Sequence, residues 1–149
     1  MKGTVPDKIC LKFPKANRLH HRSLVERLFL EGKTFYDFPF KVYWKCLTEE
    51  ELEDNFRNNV PEGIGSLQFL ITVPKKKRKK AVDRVLMRRR VREAFRLNRT
   101  SLENLIDDKE SIRTFEVAFI YIHTQNLEYA VIENKVVNII EKLKLKLLS

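Results

Sequence analysis

The apolar residues change period several times along the chain, and each change marks an element. Leu24 and Leu28, like Val25 and Phe29, stand four apart on one face of a helix, and Ser23 with Glu26 fits a capping box at its start. Gly32 suits its end. Phe38, Phe40, Val42 and Trp44 then alternate with Pro39, Lys41, Tyr43 and Lys45, the period of a half-buried strand. The acidic stretch 48–66 closes on Pro61-Glu62-Gly63-Ile64-Gly65 and reads as a loop with room for a short helical turn. Alternation returns from Gln68 to Val73, with Phe69, Ile71 and Val73 on one face. A third pairing strand belongs either inside 35–45 or near 64–67.

From Ala81 to Asn98 the period is helical again: Met87, Val91, Ala94 and Phe95 gather on one side, and Arg84, Arg88, Arg92, Arg96 and Arg99 form a stripe on another. Thr114 to His123 reads as a strand presenting Phe115, Val117, Phe119 and Tyr121, and Ile132, Val136, Ile140, Leu143 and Leu147 repeat as a closing helix. The order αβββαβα predicts an α/β (α+β) two-layer sandwich, helices packed on a small sheet. Residues 1–16, with Pro6 and Pro14, read as an extended arm, and neither repeat nor linker divides the chain, so 1–149 is one domain. At 149 residues and 43% hydrophobic it can build a core without disulfides or structural metal.

Charge changes the picture. The formal net charge is +10, and between Lys75 and Arg99 thirteen basic residues face only Asp83 and Glu93. That window carries +11, so the rest of the molecule sums to −1. A nearly neutral globule with one intensely positive segment implies a polyanionic partner. Five arginines at i,i+4 spacing, with a last i,i+3 step, repel one another, and stability alone does not explain them; phosphates would, since each neutralised phosphate releases condensed counterions. Pro74-Lys75-Lys76-Lys77-Arg78-Lys79-Lys80 also has the composition of a nuclear-import signal, but it is lodged between a strand and a helix instead of in a free tail.

Other chemistry is sparse. Cys10 and Cys46 stand apart, as free thiols, without zinc-ligand spacing. His20 and His21 are adjacent and His123 has no acid or nucleophile beside it; no phosphate-cradling or hydrolase motif occurs, so no catalytic residue is expected. No apolar run approaches the length of a membrane span, and Met1 to Asp7 lacks the apolar stretch of a secretory signal, so a cytoplasmic protein without membrane or small-molecule partners is expected.

Ala81-Val82-Asp83-Arg84-Val85-Leu86-Met87-Arg88-Arg89-Arg90-Val91-Arg92-Glu93, preceded by Thr72-Val73-Pro74-Lys75-Lys76, resembles the motif of the bacterial ribonuclease P protein family, Ala-Val-x-Arg-Asn-x-x-Lys-Arg-x-x-Arg-Glu after a strand ending in two lysines. Asn17-Arg18-Leu19, Val25, Phe29, Gly32 and Tyr43 recur in the family's order, and the likeness covers residues 13–147. Departures are Val85 and Leu86 where Asn and often Arg are usual, a missing strand glycine near Leu70, a longer lysine turn and a larger 48–66 loop.

The resemblance implies a small mixed sheet with a left-handed βαβ crossover. It also implies a ribonucleoprotein that removes the 5′ leader from precursor tRNA, an endoribonuclease as a holoenzyme whose catalytic RNA subunit, with Mg²⁺ held mainly by that RNA, does the chemistry. Lys75, Lys76, Arg84, Arg88, Arg89, Arg92 and Arg96 would bind RNA; Val25, Phe29, Lys41, Tyr43 and Lys45 would line a groove for the single-stranded leader. Tyr43 between two lysines has the composition of a base-stacking platform, whereas Val25 and Phe29 fit core packing against a sheet equally well. A general RNA-binding protein, such as a ribosomal or assembly factor, is the other reading of the same charge.

Overall fold

The computed structural model describes residues 14–149; the expected arm before Pro14, with Cys10, lies outside the described residues. The apolar stripes and strand segments give α1 (Arg22–Glu31), β1 (Lys33–Asp37), β2 (Phe40–Leu47), α2 (Glu49–Asn55), β3 (Leu67–Thr72), α3 (Ala81–Asn98), α4 (Thr100–Asp107), β4 (Thr114–Tyr121) and α5 (Tyr129–Leu148). The sheet order is β1-β2-β4-β3, mixed: β1 with β2 and β2 with β4 antiparallel, β3 with β4 parallel. A β3-to-β4 pair in parallel requires a crossover, and α3 with α4 supplies it.

Phe40, Val42, Trp44, Phe69, Ile71, Val73, Phe115, Val117, Phe119 and Tyr121 bury one face of the sheet against Met87, Val91, Ala94 and Phe95 of α3 and the apolar stripe of α5. Phe69 and Phe95 stack with ring centroids 3.9 Å apart and Phe119 meets Phe69 edge-on at 5.1 Å, fixing α3 on β3 and β4. The expected helix-on-sheet sandwich therefore stands. On the other face Leu24 and Leu28 of α1, with Leu19, Leu47, Leu52, Ile64 and Ala118, form a smaller cluster that covers part of the sheet.

Several expectations need correction. The alternation from Phe38 belongs to a hairpin: Phe38-Pro39 is the turn, with Phe38 exposed, and the third strand is β1. The capping box is not at Ser23; His21 is the N-cap of α1 without a side-chain bond, and Ser23 Oγ instead accepts from Asn55 Nδ2 at 3.0 Å. The box lies where a loop was expected: Thr48 Oγ1 accepts from Glu51 N (3.2 Å), and Glu51 Oε1 accepts from Thr48 N (2.9 Å). α4 was not foreseen, because Leu102 and Ile106 alone make its buried face.

Gly32 ends α1 for a reason other than a left-handed turn, since its φ is −69°. A Cβ there would stand 2.4 Å from the Leu28 carbonyl oxygen and 3.2 Å from that of Trp44, so α1 can approach β2 only over a glycine. Gly32→Ala should destabilise the protein by about 1–3 kcal/mol, the cost of overpacking, as read by urea denaturation. An unchanged midpoint would show that α1 can lift without loss.

Candidate nucleic-acid interface

The lysine turn is built by two arginines that the sequence places among the free charges. Arg78 pairs with Asp83 at 3.0 Å and donates to Asn126 Oδ1 at 2.9 Å and to the Thr124 carbonyl, while Arg84 donates to the carbonyls of Arg78 (2.9 Å) and Lys79 (2.7 Å). These bonds hold the backbone of residues 78–79 between α3 and the loop after β4. Lys75, Lys76, Lys77, Lys79 and Lys80 are left exposed. Arg84 thus acts chiefly as the clamp of the turn.

Along α3, Arg89 and Arg92 are exposed and Arg88 is half-buried. Arg92 is held below the usual guanidinium range, first by burial and next by the like charges of Arg18 and Arg88. Arg18 and Arg92 line one pocket of about 150 Å³ with Leu70, so Arg18, which sequence reasoning did not assign to RNA, joins this cationic cluster. Its signal was the Asn17-Arg18-Leu19 string: Asn17 is buried and donates to the Leu67 carbonyl (2.7 Å) and Glu103 Oε2 (3.2 Å), pinning its neighbour beside α3.

The stripe does not continue to the end of the helix. Arg96 is buried and paired with Glu93, and Arg99 is buried and paired with Glu103 at 3.1 Å. Both leave the expected contact ridge because each guanidinium is buried and met by a carboxylate, so Arg96 forms an internal ion pair and is not the surface contact expected of it. Arg90 is directed to the Leu127 carbonyl. Val85 is 42% exposed, an apolar gap in the cationic surface.

Cross-strand partners share a face, so the sheet face beside α1 can be read as three rows. The first is Tyr36, Lys41, Ile120 and Thr72; the second Thr34, Tyr43, Ala118 and Leu70; the third Lys45, Glu116 and Gln68. Helix α1 covers the third row. Phe29 reaches the second, edge-on to Tyr43 at 4.8 Å, and Val25 packs half-buried beside them. Val25, Phe29 and Tyr43 are therefore brought together as one wall and floor, each still partly open to solvent.

The two lysines of this groove differ. Lys41 places its ammonium over Tyr43 (4.9 Å) and Tyr36 (5.4 Å), and those rings hold it above its ordinary pKa through their hydroxyls. Lys45 instead meets Glu31 at 2.8 Å, so its charge is already compensated. Beneath α1, neither carboxylate oxygen of Glu116 has a hydrogen-bond partner among the described residues, and burial raises its pKa to about 8 against the opposing pull of Lys45 and Arg27.

Among the described residues no group of three or more His, Cys, Asp or Glu side chains converges to hold a metal, and no helix is long and apolar enough to cross a membrane. Cys46 is a free, half-buried thiol whose pKa burial pushes up, and His123 rests edge-on against Phe38.

Comparison with known proteins agrees with this geometry. A family model described as Ribonuclease P matches residues 13–144. The ribonuclease P protein component of Porphyromonas gingivalis strain W83 is 27% identical over 119 residues, 80% of this chain and 77% of that protein. In fold, the Staphylococcus aureus RNase P protein superposes with a TM-score of 0.58 at 21% identity, covering 87% of this chain and 97% of that one. The Thermotoga maritima RNase P protein gives 0.57 at 22%, covering 84% and 96%.

Proposed function

The chain belongs to the ribonuclease P protein family, and from that premise we propose that it is the protein component of a cytoplasmic ribonucleoprotein that removes the 5′ leader of precursor tRNA. The observation that carries this reading is the junction of two surfaces at the end of β3: β3 leads from the open rows of the groove directly into Lys75 and Lys76. A single strand lying on Tyr43 and Lys41 would meet apolar and aromatic floor, and the folded RNA beside it would meet Arg88, Arg89, Arg92 and the lysine turn. The catalytic RNA is the partner on the cationic side and the leader the partner in the groove.

Hydrolysis falls to the RNA and its Mg²⁺ in this reading. Guanidinium and ammonium groups are donors and offer no oxygen ligand to Mg²⁺, so in this reading the chain's own part is to neutralise phosphates and to hold the leader. Arg84 and Arg78 serve indirectly by fixing the turn. Adding the purified protein to its cognate catalytic RNA at low Mg²⁺ should raise the rate of precursor cleavage and leave mature tRNA untouched. Unchanged cleavage, with RNA still bound, would favour a general RNA-binding protein instead.

A further inference from the structure

Tyr36 lies at the outer end of the first row, on the edge strand, with 64% of its surface exposed. The residue also borders a shallow pocket with Phe35, Leu145 and Lys146 at the end of α5, yet most of its ring stays open to solvent. Its ring carries the Lys41 ammonium, which it shares with Tyr43. Lys41 has no carboxylate at ion-pair distance among the described residues, in contrast with Lys45. Tyr36 and Tyr43 occupy diagonal positions on adjacent strands, for which the spacing is about 7–8 Å and somewhat less between Cβ atoms. Two aromatic platforms at that separation, with a cation between them, match two consecutive unstacked nucleotides joined by a phosphate.

We propose that Tyr36 is an outer stacking platform for a second base of the single-stranded leader, with Lys41 on the phosphate between it and the base on Tyr43. The proposal rests on the leader reading above and extends it. It also gives the strand a direction of travel: across the sheet over the first and second rows, from the lysine turn at the β3 edge past Tyr43 to Tyr36 at the β1 edge, three strand spacings or about 14 Å. Passage through the third row is closed by α1.

The test uses the full chain assembled with its catalytic RNA, and equilibrium binding of precursor tRNA carrying leaders of about two or about ten nucleotides. Tyr36→Ala should weaken the long-leader precursor about tenfold, within the range for loss of one stacked base, and leave the short-leader precursor unchanged. Tyr36→Phe, which keeps the ring, should bind as the parent does. Equal weakening of both precursors, or none, would overturn the outer platform if Tyr43→Ala still gives a leader-dependent loss. If Tyr43→Ala also fails to discriminate between leaders, the leader reading itself falls along with the platform.

Discussion

Replacing Arg88 and Arg92 together with alanine is expected to flatten the salt dependence of RNA binding by about 1.4 to 1.8 units of slope, at 0.7 per phosphate contact for single strands and 0.9 for duplex. If the two binding curves converge near 1 M salt, the same change is a loss of about 25- to 60-fold at 0.1 M. Both side chains lie on α3 near Arg18, with no carboxylate at ion-pair distance among the described residues, so their removal costs contacts to phosphate and not internal pairs. Arg96 should behave in the opposite way. Its guanidinium is buried against Glu93, so Arg96→Ala should lower the urea midpoint and leave the slope unaltered. A slope unchanged by the double variant would remove α3 from the interface.

The second large effect belongs to Glu116. Gln68, the cross-strand partner of Glu116, directs its amide N–H to the Ala16 carbonyl at 3.1 Å, so its Oε1 and both Glu116 oxygens are buried acceptors without a donor among the described residues. One proton on Glu116 turns an acceptor into a donor. Its folded-state pKa of about 8 lies above the ordinary 4.5, so between those values the native state keeps a proton that the unfolded chain has released. Stability from this group is complete below pH 4.5 and is lost as pH rises toward about 8, at up to about 1.4 kcal/mol per pH unit.

Glu116→Gln supplies a permanent donor and removes the titration. Relative to the parent it should gain stability steadily across that window, by a few kcal/mol in order of magnitude at its upper end, and show no trend below it. Urea denaturation at a series of pH values measures the difference. A gap independent of pH would mean that the carboxyl is hydrated in the native state.

What the chain's pattern revealed, and what it hid, follows from where the determining contacts lie. Met87, Val91 and Phe95 announce the buried side of α3 because their spacing repeats within one helix. Phe69, Ile71 and Val73 do the same for β3, since every second residue meets the same core. Arg96 shares the spacing of the stripe, and only its burial in the folded chain, with the guanidinium turned back to Glu93, separates it from Arg88 and Arg92. Lys45 reads as free until α1 brings Glu31 over it, and Glu116 reads as a solvent-facing strand position until the same helix covers it.

Tyr36 was invisible in another way. Its face depends on the register of a hairpin whose turn interrupts an apparently continuous alternation, and only the pairing with Lys41 puts it beside Tyr43. Ser23 and Thr48 both satisfy the spacing of a cap, and local sequence does not decide between them; the chain leaving α1's entrance at His21 does.

The short bridge from Arg18 to Phe69, with Leu19 N donating to the Phe69 carbonyl at 3.0 Å, occupies the outer side of β3 along its first half. The opposite margin, β1, is five residues long and carries Lys33 at its start. Neither margin offers a long bare ladder to a neighbouring molecule. With one border closed by the chain's own Arg18–Leu19 segment and the other short and marked by a lysine, strand-to-strand pairing between copies has no long open edge to start from.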